Sequence, residues 1–229
     1  VGNRCTTKSP VSIVVTGQTV SISTAAITVN GAAASAADLR IGMVVALDGR
    51  VNADGTATAT AVSYSAEIIG VIDGVDATAR TFTLLGQRVR TDGLTVFEGG
   101  TFEALLGQKV EVSGLRSGPA DLYASWIRVS AEAPPAIVPV EVVGTVSSLD
   151  TTARRFAVGT QAVDYAGMAP ASVPGGLANG ASVRVTGSVP VAVGTVTATA
   201  ITVVVAPLPG QNAQRVELEN VFAGLPGCR

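Results

Sequence analysis

The chain has 229 residues, 47% of them hydrophobic and 14% charged, with a formal net charge of −2 and no histidine. So much apolar matter with so little charge describes a folded chain, not a disordered one, and the 15 Lys and Arg against 17 Asp and Glu give no basic excess that would favour nucleic acid. Without histidine the Ser-His-Asp, Cys-His and common zinc-hydrolase sites cannot be assembled, so no enzyme activity, cofactor or metal is expected.

The apolar residues fall in short Val, Ile and Ala runs broken by Thr, Ser and Gly, with no stretch of membrane-spanning length. The chain opens at Val1-Gly2 without a Met, which suits a mature product whose export segment has been removed; an extracellular or cell-surface location is expected.

Taken in order, the chain reads as a tandem repeat of short strands with period-2 alternation. The first unit, 1–66, carries Gly17-Gln18-Thr19-Val20, then Gly42-x-x-Val45-x-Leu47-x-Gly49 and a closing strand Ala59-x-x-Val62-x-Tyr64. The second, 67–133, opens with EIIGVIDGVDATARTFTLLGQRV over 67–89 and continues through Gly107-x-x-Val110-x-Val112-x-Gly114 to Ala124-x-x-Ile127-x-Val129. The third, 140–206, repeats the opening as EVVGTVSSLDTTARRFAVGTQAV over 141–163, then Gly180-x-x-Val183-x-Val185-x-Gly187 and Ala198-x-x-Ile201-x-Val203. Turns carry Gly, Asp and Pro, as at Asp54-Gly55 and Ser117-Gly118-Pro119, and Pro134-Pro135 and Pro207-Leu-Pro209 read as linkers. Phe102 to Leu106 has a helical look, closed by Gly107 as its C-cap. Five strands with a helix after the third predict an OB-like barrel, so the expected fold is all-β with three tandem OB-like barrels.

The runs DLRIGMVV (38–45), TARTFTLLGQRV (78–89) and KVEVSGLR (109–116) resemble the tandem OB-like repeats of a bacterial domain-of-unknown-function family found in exported envelope proteins. The likeness covers most of residues 12–206. It implies fold and compartment and brings no catalytic residue with it.

The first unit departs from the pattern. Gly17 to Val20 matches Gly86 to Val89, so the unit begins at its second strand near Ser12, and Val1 to Lys8 has no counterpart of EIIGVIDGV. After the third unit closes, residues 217–225 read ELENVFAGL, in register with 67–75 and 141–149: Leu218 matches Ile68 and Val142, Phe222 matches Ile72 and Val146, and Leu225 matches Val75 and Leu149. The chain therefore holds one orphan first strand in the 207–229 segment. Leu218, Val221, Phe222 and Leu225 are its candidate interface, and Ile13, Val15, Val20 and Ile22 are the candidate acceptor groove of the first unit.

An uncovered strand slot leaves backbone donors and acceptors unpaired, so the orphan either returns to its own first unit or inserts into that of a neighbour. A connector from Pro207 to Val216 spans at most roughly 35 Å. Units about 25 Å across place the first unit's centre about 50 Å from the third in an extended row, which favours exchange unless the units curl together. Head-to-tail exchange propagates into a fibre. The leading expectation is the subunit of an extracellular filament whose partners are copies of itself; the alternative is a monomeric envelope module, closed by its own strand, that holds a surface or matrix ligand. Cys5 and Cys228, one near each end, are expected to form a disulfide, between subunits in the first case and within the chain in the second.

Other candidates have plainer readings. Glu217 and Glu219 alternate as on a solvated strand face; Asp48, Asp54, Asp73 and Asp76 sit near turns without calcium-loop spacing. Trp126, which stands where the other units have Ala61 and Ala200, is read as packing, with an exposed contact residue as the alternative.

Overall fold

The computed structural model describes residues 12–15, 17–190 and 194–204, and the backbone of 220–224. The first repeat contains β1 (Ser12–Val15), β2 (Gln18–Ser21), β3 (Ala26–Val29), β4 (Ala32–Ala34), β5 (Val44–Val51) and β6 (Ala57–Tyr64). The second contains β7 (Ile68–Val71), β8 (Gly74–Asp76), β9 (Thr81–Leu84), β10 (Gln87–Arg90), β11 (Val96–Glu98), β12 (Lys109–Gly118) and β13 (Asp121–Val129). The third contains β14 (Ile137–Asp150), β15 (Arg155–Val158), β16 (Gln161–Asp164), β17 (Ser182–Pro190) and β18 (Val196–Val203), and β19 (Asn220–Gly224) stands apart near the C-terminus.

The expectation of three tandem OB-like barrels is corrected. The described strands form two sheets, one of seven strands in the order β2-β1-β19-β5-β6-β3-β4 and one of twelve. They belong to two compact units: the first repeat together with β19, and the second and third repeats together. Repeats two and three are stacked on one another through strand pairing, in the manner of neighbouring repeats in a solenoid, and share one core cluster running from Ile68 to Ile201. They are not separate barrels. Nor does any α-helix occur among the described residues: the segment after the third strand holds single 3-10 turns at Ala36–Asp38, Phe102–Ala104 and Pro170–Ser172. The helix expected from Phe102 to Leu106 is thus one 3-10 turn, because five residues provide too few hydrogen bonds to repay helix nucleation. Two of its apolar residues, Phe102 and Leu105, still serve the core, while Leu106 is exposed.

Alternation explains the strands. β15 reads Arg-Phe-Ala-Val with Phe156 and Val158 buried, and β17 buries Val183, Val185 and Val189 at every second or fourth position. A parallel pairing recurs in each repeat, β2 with β6, β10 with β13 and β16 with β18, and the first two repeats add a second, β3 with β6 and β11 with β13. The recurrent glycine of the long strands has one cause. Gly49, Gly114 and Gly187 each sit at a register shift, where a Cβ would lie 2.4 Å, 2.0 Å and 2.3 Å from the facing carbonyl oxygen of Thr58, Tyr123 and Thr197. Only glycine admits so close a backbone approach at these bulges.

Repeats two and three meet through equivalent parts. Ile68 of β7 pairs with Val142 of β14, its own counterpart, beside Ile69 with Glu141. Arg116 spans the junction: its Nε donates to Glu67 Oε2 at 3.0 Å, its Nη1 to Gln87 Oε1 at 3.1 Å and its Nη2 to the Val143 carbonyl. Fully buried Gln87 in turn donates to the Val158 carbonyl at 3.2 Å. Burial pulls the Arg116 guanidinium below its ordinary value, opposed by the Glu67 charge beside it. Arg184 makes a second tie, to Glu141 and to the Ala66 carbonyl at 2.7 Å.

Candidate functional site

The site that the sequence points to is the strand slot of the first repeat, and β19 of the same chain lies in it. β19 runs antiparallel to β1 on one side, with Val14 opposite Gly224 and Val15 opposite Phe222, and antiparallel to β5 on the other, with Asn220 opposite Val45 and Val221 opposite Val44. A backbone shift between Val14 and Val15 marks a bulge in the first of these ladders.

This register is that of the first strands in the other repeats. Asn220 meets Val45 as Gly70 meets Val110 and as Gly144 meets Val183. On the other edge Gly224 meets Val14 as Gly74 meets Thr83, and Phe222 meets Val15 as Val146 meets Val158. A strand separated from its repeat by more than 150 residues of chain takes the place that β7 and β14 take by direct continuity.

Of the predicted groove residues, Ile13, Val15, Val20 and Ile22 are all buried. Ile13 and Val15 share one face of β1 by strand alternation, and Val20 of β2 pairs with Ile13. Val221 and Phe222 lie within β19. Leu218, Leu225, Glu217 and Glu219 lie outside the described residues. So do Cys5 and Cys228 and the disulfide expected between them; among the described residues there is no disulfide.

The remaining candidates resolve locally. Asp54 Oδ1 accepts from Thr56 N at 3.0 Å and Thr56 Oγ1 at 2.7 Å, and Asp76 Oδ1 accepts from Ala79 N at 2.9 Å, so both cap turns. Asp73 accepts from the Thr83 hydroxyl across the strand pair. Trp126 is buried, paired with Ser113 of β12 and Val96 of β11, with the Arg128 guanidinium 5.7 Å from its ring centroid. It packs rather than presenting an exposed contact.

One feature of the first repeat escaped the sequence reading: a cavity of about 100 Å³ lined by residues of β2, β5 and β6, among them Val20, Leu47, Ala57 and Ala59. Its signal was present in the alignment. Ala57 occupies the position of Leu122 and Val196.

The fold and the slot define an all-β protein of tandem repeats, the first of them completed by a strand from the far end of the chain. A family described as a domain of unknown function (DUF5666) matches residues 6–63 and again 69–128, more than half of the chain, and the chain belongs to that family. The two matches fall on the first and second repeats, and the third is related to them by the internal alignment. No curated protein and no solved structure matches the chain.

Proposed function

We propose that the protein is a non-enzymatic structural subunit of an extracellular bacterial filament, assembled head-to-tail by passing its C-terminal strand into the first repeat of the next subunit. The observation that supports this reading is the detached β19, seated between β1 and β5 in a register the other repeats reserve for a covalently continuous strand. A strand that makes all its sheet pairings at a distance from its parent repeat can make the same pairings on a neighbour, since the bonds formed are identical and only the connection changes. Burial of its apolar residues would contribute roughly 1.5–3 kcal/mol each, before ordering costs. No helix among the described residues is long and apolar enough to cross a membrane.

A second reading is favoured by a specific observation: within one chain β19 already occupies its own first repeat. On that reading the protein is a closed envelope module that holds a surface ligand.

Mixing separates the two. A chain lacking residues 217–229 has an acceptor slot and no strand to donate, so in the filament reading it caps growing ends. Electron micrographs are expected to show fibres formed by the full chain, shortening as the truncated chain is added. A monodisperse full-length monomer at every concentration, with the truncated chain without effect, overturns the filament and leaves the closed module.

A further inference from the structure

Repeats two and three meet as two copies of one surface. Ile68 pairs with Val142, its counterpart, and the ladder reads the same from either side: Ile69 lies opposite Glu141, and the Val143 N–H donates to the Glu67 carbonyl at 3.0 Å. The β9–β10 and β15–β16 turns meet in the same way. Gly86 and Thr160 hold the same turn position, directly before Gln87 and Gln161, and the Thr160 N–H donates to the Gly86 carbonyl at 3.4 Å. A contact between equivalent residues is isologous and turns about a local two-fold axis. It is also close: a Cβ on Gly86 would lie 2.4 Å from the Gln161 nitrogen, and Gln87 is fully buried with its amide on the Val158 carbonyl.

The first repeat carries the same surface uncovered. Gly17 holds the turn position of Gly86, with nothing within 4 Å of a Cβ built there. Gln18 matches Gln87 but is exposed, its amide donating to the Gly55 carbonyl of its own repeat at 3.4 Å. Val51 stands two residues beyond the bulge glycine, as Arg116 and Val189 do in their repeats. Arg116 reaches across the junction to the Val143 carbonyl and Val189 is 8% exposed, whereas Val51 is 56% exposed. Leu218, the first repeat's counterpart of Ile68, lies outside the described residues; these three flanking positions are described.

We propose that this face of the first repeat is an interface with a second copy of the chain, the two first repeats meeting about a two-fold axis as the second and third do. An isologous surface is complementary to itself, and within one chain the copies on repeats two and three are taken up by each other. The remaining complement is the first repeat of another molecule. Gly17, Gln18 and Val51 bring no charge to an axis at which two copies of any charge would repel. This contact is distinct from strand exchange, which is head-to-tail, and it holds whichever chain supplies β19.

The test uses two full-length variants, Gln18→Glu and Gln18→Lys, each of which places like charges on both sides of the axis. In sedimentation each variant alone is expected to self-associate about tenfold more weakly than the natural chain, with Tm unchanged, and an equimolar mixture is expected to recover the loss. Only a contact that brings position 18 of one chain to position 18 of another gives this pattern. Carbodiimide treatment of the mixture should join the two positions directly, and peptide mass spectrometry reads that cross-link in free pairs and in fibres alike. Should the Gln18 variants lower Tm, the pair Val51→Glu and Val51→Lys takes their place, read at position 51. Two results overturn the proposal: no cross-link between the paired positions, or a mixture that behaves no differently from either variant alone. Fibres without the cross-link would leave strand exchange standing and remove the two-fold contact; cross-linked pairs without fibres would do the reverse.

Discussion

Val45 of the first repeat pairs with Asn220, which lies 175 positions further along the chain, in the relation that Val110 bears to Gly70 and Val183 to Gly144 within their own repeats. Three equivalent ladders are thus built, two by a local strand and one by a strand from the far terminus. The first repeat cannot complete its sheet from its own sequence, and its stability is tied to whichever strand fills the slot.

Removal of residues 217–229 is therefore expected to destabilise one unit and spare the other. Calorimetry of the truncated chain should show the transition of the first repeat lowered or lost and that of 66–206 unchanged. A synthetic 214–229 peptide should restore the former in a concentration-dependent way, since a ligand that binds only the folded state stabilises it by mass action. A single transition that moves as a whole would show instead that the two units unfold together.

The bulge glycines should be far less tolerant than glycines in open turns. Gly114→Ala places a Cβ 2.0 Å from the Tyr123 carbonyl oxygen, in a backbone-to-backbone contact with nothing flexible to yield. A loss of about 2–4 kcal/mol is expected in urea denaturation, against about 0.5 kcal/mol or less for a substitution in open space. Gly93→Ala, with nothing within 4 Å of its Cβ, is the control.

Arg116 is expected to hold the stacked repeats together through the groups it satisfies. Arg116→Ala leaves fully buried Gln87 without that donor and the Glu67 carboxylate, about a fifth exposed, without its cation. Discounted for partial solvent access, the cost should be about 1–3 kcal/mol. Glu67→Gln with Arg116→Met, which removes charge from both sides, should recover part of it. A double-mutant cycle in urea checks this, and independent additive losses would deny the coupling.

Acid should weaken the second and third repeats through two aspartates. A hydrogen bond from Arg88, reinforced by its charge and that of Arg90, holds the Asp121 carboxyl below the ordinary 3.8. The backbone N–H of Ala166, followed by Arg155, does the same for Asp164. A carboxyl depressed in the folded state adds stability that is complete above the unfolded value and disappears as pH falls through the folded one. The urea midpoint should thus be flat above about pH 5 and fall below pH 4. Asp121→Asn should make the decline shallower, and an unaltered profile in that variant would assign the acid sensitivity to other groups.

The sequence by itself determined the strands, the three repeats and the register of β19. Strand alternation is local, so runs such as Arg155 to Val158 declare their buried face without any knowledge of neighbours. Register was legible for a different reason: once Leu218 to Leu225 aligns with Ile68 to Val75, the partners of Asn220 and Gly224 follow from those of Gly70 and Gly74. The glycine at 49, 114 and 187 was visible as a motif, although its cause, a facing carbonyl within bonding distance of any Cβ, was not.

Only the tertiary structure decided how the repeats combine. The pairing of Ile68 with Val142 joins two exposed strand edges, and nothing in side-chain alternation says which edge meets which, because the ladder is made of backbone groups common to every residue. The short Phe102 segment looked helical by its apolar spacing, yet nucleation needs more turns than it has. The cavity beside Ala57 depended on three strands converging from separate parts of the repeat, so the meaning of one small residue appeared only when its neighbours were in place.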